Sequence, residues 1–260
     1  MGELLDLIAE RELSWLGGEL RAEHSDPGRR PLAADSWLLV DGATRAAERH
    51  WDRFARSCAE LGVPAAEIAG FRAAVQAALP TAGRWFPRVA LAERAGDRRL
   101  QLLIRPAPPE RLDARVWAAP AGDPRTAPRR KGPDLARLAA LREQAREAGA
   151  DEALIRDERG HVLEGALSSV LWWEGDVLFT TPDATALPGV TRGLLLEIAS
   201  RRGVEVRHEA PAPERLGGVE CWLTSALYGI RTVSEWVEPR QAAGASPRAP
   251  EWRRELSAYR

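Results

Sequence analysis

The stretch RRKGPDLARLAALREQAREAGADEALI, residues 129–155, indicates both the fold and the chemistry of this chain. Its Lys131 is the only lysine among 37 basic side chains, so the other 36 are arginine. Arginine can replace lysine where only a positive charge is needed, but its guanidinium stays protonated and cannot form a Schiff base. Lys131 is therefore a candidate nucleophile, although a single lysine could also persist by chance in an exposed basic loop.

Helical and strand-like patterns alternate around Lys131. A Pro- and Gly-rich segment leads into a helix that is predicted to begin near Asp134, a favourable N-cap, and to end at Gly149. Upstream, apolar spacing predicts helices over 45–61 and 65–79, followed by a hairpin. Downstream, a further helix is predicted over about residues 191–202. The hairpin strands are predicted at 89–93 and 100–105. Further strands are predicted around Val116 and at 152–156, 162–163, 170–173, 177–180, 204–207, 221–224 and 230–237.

The composition narrows the class of protein. The 37 basic and 38 acidic residues nearly cancel, so no overall charge favours nucleic acid or an anionic membrane. No run of 18 apolar residues is present, and the acidic start does not resemble a secretion signal, so we expect a cytoplasmic protein. The two cysteines, Cys58 and Cys221, and the four histidines are too scattered for a metal site. We expect both cysteines to be buried.

Three further motifs could bind a ligand. Residues 187–192, LPGVTR, run from a Pro-Gly loop into a helix whose free N–H groups and Thr191 hydroxyl could bind phosphate, although many such helices bind nothing. Glu164 follows an apolar strand; it is either a solvated turn residue or a buried carboxylate that needs a cation. His50 and Arg53 form a polar stripe on a helix, which is either solvated or part of a site. Together with Lys131, these are the groups that pyridoxal phosphate (PLP) requires.

The order of these motifs resembles that of the fold-type IV PLP enzymes, from about Ala34 to Trp236. This family comprises branched-chain aminotransferases, D-amino acid aminotransferases and aminodeoxychorismate lyases. Lys131 lies at the Schiff-base position, and residues 148–154 resemble the family's "GADEAL" strand entry. The three further motifs resemble the "H-x-x-R-L", "G-x-V-x-E-G" and "LPGVTR" elements, with matching segments at 50–54, 161–165 and 187–192.

The resemblance implies the fold and the roles of individual residues. The expected fold is α/β, with a small α+β domain over 1–112, a large domain with a barrel-like sheet over 113–238, and a tail with a short helix over 239–260. A homodimer and a small-molecule amino substrate are also implied. By this resemblance, Lys131 would form the Schiff base and transfer the proton, and Glu164 would pair with the ring nitrogen. The phosphate would be bound by Arg53, Val190 and Thr191. Ser36 and Ser225 would contact substrate, water or cofactor.

The branch of the family depends on residues 225–233, SALYGIRTV. This segment is similar to the lyase pattern "N-S/A-L-x-G-I-x-P-V", because Gly229 stands where aminotransferases have glutamate. Ser225 and Thr232 depart from the pattern, and "F-E-T-x-R" in the small domain is replaced from Asp35 onward. The resemblance implies a 4-amino-4-deoxychorismate lyase, with an aminotransferase or a non-catalytic relative as alternatives. The contacts of Trp37, Tyr228 and Arg231 are left open.

Overall fold

The computed structural model describes residues 10–23, 26 and 28–259, and its contacts divide the chain into two units. The first unit comprises residues up to Pro109 together with Arg130–Pro133. The second comprises Glu110–Arg129 and Asp134–Tyr259. The segment with Lys131 was expected in the large domain but belongs to the first unit, because the Ala34 N–H donates to the Lys131 carbonyl oxygen at 2.7 Å.

An antiparallel five-stranded sheet and two helices form the first unit. The sheet order is β2-β1-β8-β7-β3, with β1 Arg11–Leu16, β2 Glu19–Ala22, β3 Arg30–Ser36, β7 Arg88–Arg94 and β8 Asp97–Ile104. A smaller sheet contains β4 Leu39–Val40, β5 Ala43–Thr44 and β6 Arg84–Trp85. The predicted helices are present as α1 Ala47–Glu60 and α2 Ala65–Ala78. Their apolar faces form a core with the sheet through Trp51, Phe54 and Phe71, which are buried.

A mixed eight-stranded sheet organises the second unit, in the order β11-β10-β9-β16-β15-β12-β13-β14. Its strands are β9 Asp113–Ala118, β10 Glu152–Arg156, β11 Val162–Gly165, β12 Ser169–Glu174, β13 Val177–Thr180, β14 Val206–His208, β15 Cys221–Ser225 and β16 Gly229–Glu238. Its helices are α3 Leu135–Glu147, α4 Val190–Arg201 and α5 Ala249–Ser257, with a 3-10 turn at Pro213–Leu216. In the part of the chain that the structure describes, no helix is long and apolar enough to cross a membrane.

One local expectation is wrong. Helix α3 begins directly after Asp134, as predicted, but the Asp134 side chain does not cap it; the carboxylate instead accepts hydrogen bonds from the Thr126 and Ala127 N–H groups at 2.9–3.0 Å. The short helix expected in the tail over 239–260 is present as α5, and this segment belongs to the second unit through Tyr259. Trp252 of this helix is buried, since its ring lies 5.4 Å from those of Trp173 and Trp222. Both cysteines are buried, as predicted.

Candidate active site

Lys131 is partly buried in the first unit, on a segment whose backbone is hydrogen-bonded to that of β3. The pKa of its amine is lowered to about 8, mainly by burial and also by the positive charges of Arg53, Arg105 and Arg88, while Asp35 acts in the opposite direction. About a tenth of the amine is therefore unprotonated at pH 7, far more than for an exposed lysine. The unprotonated amine is the form that attacks an aldehyde.

Asp35, His50 and Arg53 form a buried cluster between β3 and α1. The Arg53 guanidinium donates from Nε and Nη2 to the two Asp35 oxygens at 2.7 and 2.8 Å, and His50 Nδ1 lies 2.8 Å from Asp35 Oδ1. Burial alone would raise the pKa of Asp35, but Arg53 and His50 hold it well below its usual range. Arg53, predicted as a phosphate ligand, is thus already oriented by Asp35. Asp35 was not predicted as a site residue; the only signal for it in the sequence is a carboxylate within an apolar stretch.

Glu164 lies at the end of β11 in the second unit and is buried, with its side chain 9% exposed. Its Oε1 pairs with Arg125, and its Oε2 accepts the Leu187 N–H at 3.1 Å. Burial raises the pKa of Glu164 to about 7, although Arg125 acts against this shift. Arg125 also binds Asp123 at 2.8 Å and the Thr185 carbonyl at 2.9 Å. The alternative of a solvated turn residue is therefore wrong, and Arg125 is a partner that the sequence analysis missed.

Val190 and Thr191 form the first turn of α4, and no side chain caps this helix. Gly189 precedes them, and a Cβ at this position would lie 2.7 Å from Ser169 Oγ. The N-terminus of the helix therefore lies close to Ser169 of β12. Its first N–H groups, with the helix dipole, are suited to bind an anion such as phosphate.

Ser36 and Ser225, the remaining predicted residues, lie in different units. The Ser36 N–H donates to Asp35 Oδ1 at 2.8 Å, which places Ser36 beside the Arg53 cluster. Ser225 Oγ accepts the Tyr228 N–H at 3.2 Å in the turn between β15 and β16. That strand pair lies next to β12, where Ser169 is opposite Thr224.

The structure thus groups the predicted residues into two sets. The first unit contains Ser36, Arg53 and Lys131, and the second contains Glu164, Val190, Thr191 and Ser225. Two residues whose contacts were left open form a separate cluster: Arg231 donates to Glu152 at 3.0 Å and lies over the Tyr228 ring. The third, Trp37, is buried in the core of the first unit, with its ring 5.5 Å from that of Trp51.

These residues fit PLP by their chemistry. Lys131 is a partly unprotonated amine that could join the aldehyde carbon. Glu164 is a buried carboxylate that a protonated ring nitrogen would help to keep ionised. Val190 and Thr191 offer N–H groups to a phosphate at the uncapped start of α4.

Comparison with known proteins supports this interpretation. The model of the amino-transferase class IV family matches residues 33–236. The branched-chain-amino-acid aminotransferase of Escherichia coli K12 is 32% identical over 102 residues, which cover 39% of this chain and 31% of that protein. A branched-chain-amino-acid aminotransferase assigned provisionally in Methanocaldococcus jannaschii is 37% identical over 67 residues, covering 25% and 23%. These matches span about a third or less of the relatives' length.

Solved structures share the fold over nearly the whole chain. A fold IV transaminase from Curtobacterium pusillum has a TM-score of 0.78 at 20% identity and covers 96% of this chain and 97% of its own. A protein from Legionella pneumophila, assigned provisionally as a 4-amino-4-deoxychorismate lyase, has a TM-score of 0.77 at 19% identity, covering 92% and 96%. The predicted α/β fold with a curled, barrel-like sheet is thereby confirmed. The chain belongs to the class IV aminotransferase family, which uses PLP as its cofactor.

Proposed function

We propose that this enzyme is a lyase that releases pyruvate from a 4-amino-4-deoxychorismate-type substrate and forms p-aminobenzoate. The turn between β15 and β16 supports this proposal. Gly229, where aminotransferases of the family have glutamate, has a φ of +66°, a conformation that disfavours side chains. Ala226 lacks the hydroxyl that many aminotransferases place near the phosphate. The turn therefore lacks two side chains of the aminotransferase pattern.

Lys131 has two successive tasks in this proposal. It first holds the cofactor covalently, and its released amine then takes the proton from the amine-bearing carbon of the substrate. The ether C–O bond breaks, the enol leaving group takes up a proton to become pyruvate, and the ring becomes aromatic. PLP, when bound, supplies the electron sink that makes the carbon acidic enough for this proton transfer.

The other residues bind and orient. Glu164 would keep the ring nitrogen protonated, and its burial strengthens that interaction. Arg53 and the N–H groups of Val190 and Thr191 would anchor the phosphate. Ser36 and Ser225 would contact substrate, water or cofactor. Of the two, Ser225 in particular would contact the cofactor.

Several charges in the first unit favour an anionic substrate. Arg53, Arg88 and Arg105 all act on Lys131, and of these Arg53 is paired with Asp35. The substrate of the lyase carries two carboxylates, and these would be attracted to such a region. We further propose that the enzyme is a homodimer located in the cytoplasm.

A class IV aminotransferase of the branched-chain or D-amino acid type is the second candidate. The observation that favours it is the local similarity to branched-chain-amino-acid aminotransferases. Such an enzyme would transfer the amine of its substrate to the cofactor and then to a keto acid. It therefore needs a second substrate for each turnover, whereas the lyase does not.

Substrate turnover without a keto acid separates the two candidates. The PLP-loaded enzyme is incubated with 4-amino-4-deoxychorismate alone, and pyruvate and p-aminobenzoate are measured against enzyme concentration. Many product molecules per active site support the lyase. A single turnover that resumes only when a keto acid is added supports the aminotransferase. The Lys131→Arg variant serves as the control for uncatalysed breakdown of the substrate.

A further inference from the structure

We propose that Asp35 is a positioning residue of this active site: it holds Arg53 in the orientation that binds the cofactor phosphate and supplies the negative charge that balances Lys131. This inference rests on the proposed roles of Lys131 and Arg53, and it holds for a lyase and an aminotransferase alike. Asp35 would touch neither the cofactor nor the substrate and would act through its two cationic neighbours.

The hydrogen bonds of Asp35 fix the geometry of the cluster. The side chain is fully buried, and its Oδ1 and Oδ2 together accept two bonds from Arg53, one from His50 and one from the Ser36 N–H, all at 2.7–2.8 Å. Burial lowers the pKa of His50, so this imidazole is neutral near pH 7 and donates to Asp35 from Nδ1. A bidentate carboxylate of this kind restricts the planar guanidinium to one orientation.

The backbone brings Lys131 next to this carboxylate. The Ala34 N–H, one residue before Asp35, donates to the Lys131 carbonyl at 2.7 Å. Gly132 lies so close to β3 that an added Cβ would be 2.8 Å from the Ala33 backbone. The backbone of Lys131 therefore cannot move away from β3 without breaking this contact.

The charges around Lys131 give Asp35 a distinct electrostatic effect. The groups that act on the amine are Asp35 from β3, His50 and Arg53 from α1, Arg88 from β7 and Arg105 after β8. The three arginines disfavour a protonated amine, and Asp35 favours it. Removing the charge of Asp35 should therefore lower the pKa of Lys131, and removing that of Arg53 should raise it.

The single lysine makes this testable without substrate. Incorporation of lysine labelled with 15N at Nζ marks one side chain in the full-length chain, and the pKa of Lys131 is read from its 15N shift after PLP has been removed. The variants are Asp35→Asn, Asp35→Glu and Arg53→Gln, with Asp41→Asn as a matched control because Asp41 is exposed in the same unit. PLP affinity of each variant is measured in parallel by fluorescence titration.

For Asp35→Asn, we expect the Lys131 pKa to fall by about one unit and PLP affinity to fall roughly tenfold. Arg53→Gln should move the pKa in the opposite direction, and Asp35→Glu and Asp41→Asn should stay near the native value. If Asp35→Asn does not fold, the other two variants decide. The proposal is then supported by a raised Lys131 pKa in Arg53→Gln and by a nearly native Lys131 pKa in Asp35→Glu. An unchanged Lys131 pKa in the folded Asp35→Asn or Arg53→Gln chain, or unchanged PLP affinity in Asp35→Asn, overturns the proposal. A failure to release pyruvate would overturn only the proposed function.

Discussion

Replacing Arg125 with glutamine should make the stability of the fold decline more with rising pH. Arg125 is the cationic partner of Glu164, and the two side chains are 2% and 9% exposed, so solvent screens their interaction little. In the variant, Glu164 stays buried without that cation. A buried carboxylate in this situation is more costly when ionised than when protonated.

The sign follows from the pKa of Glu164, which burial raises from 4.5 to about 7 in the folded chain. The folded state therefore binds this proton more tightly than the unfolded state. The corresponding stability is fully present below about pH 4.5 and is lost as the pH rises to about 7. Without Arg125 the folded-state pKa rises further, towards the values of about 8–9 known for buried glutamates. The loss of stability then continues for one to two more pH units, and the free energy of unfolding falls by about a further 1 to 3 kcal/mol.

Urea unfolding of the PLP-free chain at pH 6, 7, 8 and 9 measures this difference. The native chain should change little above pH 7 through Glu164, whereas Arg125→Gln should lose about a further 1 to 3 kcal/mol by pH 9. The lost bonds to Asp123 and Thr185 add a term that does not depend on pH in this range. The Glu164→Gln change should remove the extra slope from the double variant. The reasoning is refuted if Arg125→Gln follows the native pH profile, or if the slope persists in the double variant.

Three further predictions concern the lysine segment and the phosphate site. Lys131→Arg should keep the charge but abolish the yellow absorbance of the PLP-loaded enzyme and its turnover, with the melting temperature of the apoprotein nearly unchanged. Gly132→Ala should lower the free energy of unfolding by roughly 2–4 kcal/mol, because its φ is +136° and its Cβ would contact the Ala33 backbone. Gly122→Ala is the matched control, since its φ is +120° but nothing lies within 4 Å of the added atom; an equal loss in both would contradict the contact argument. Thr191→Val should weaken PLP binding about tenfold without destabilising the apoprotein, as measured by equilibrium titration and thermal melting.

The elements of the fold that could be predicted are those specified by the pattern of neighbouring residues along the chain. The helix expected over 45–61 is present as α1 because its apolar residues repeat at helical spacing and meet one core. Asp134 shows where local reasoning fails. Its position favours a helix cap, but its carboxylate instead accepts hydrogen bonds from the N–H groups of Thr126 and Ala127 in the preceding loop.

The site was predictable as a set of motifs but not as a set of contacts. Lys131 and Glu164 were proposed from their motifs, while Asp35 and Arg125, which hold neighbouring residues, were not. Asp35 meets Arg53 across 18 residues of sequence, and Arg125 meets Glu164 across 39. Partners at such separations are set by packing of the whole unit, for which a periodic pattern carries no signal.

The preference for arginine acquires a physical explanation from the buried ion pairs. Arg53, Arg125, Arg192 and Arg231 are all at most 9% exposed, and each donates to a carboxylate. A lysine at such a position could lose its proton on burial, as the lowered pKa of Lys131 shows, whereas a guanidinium keeps its charge and offers several donors. Structural cations inside this protein are therefore better made from arginine. Lys131 lies where the opposite property is needed, since its proposed chemistry requires an amine that can give up its proton near neutral pH.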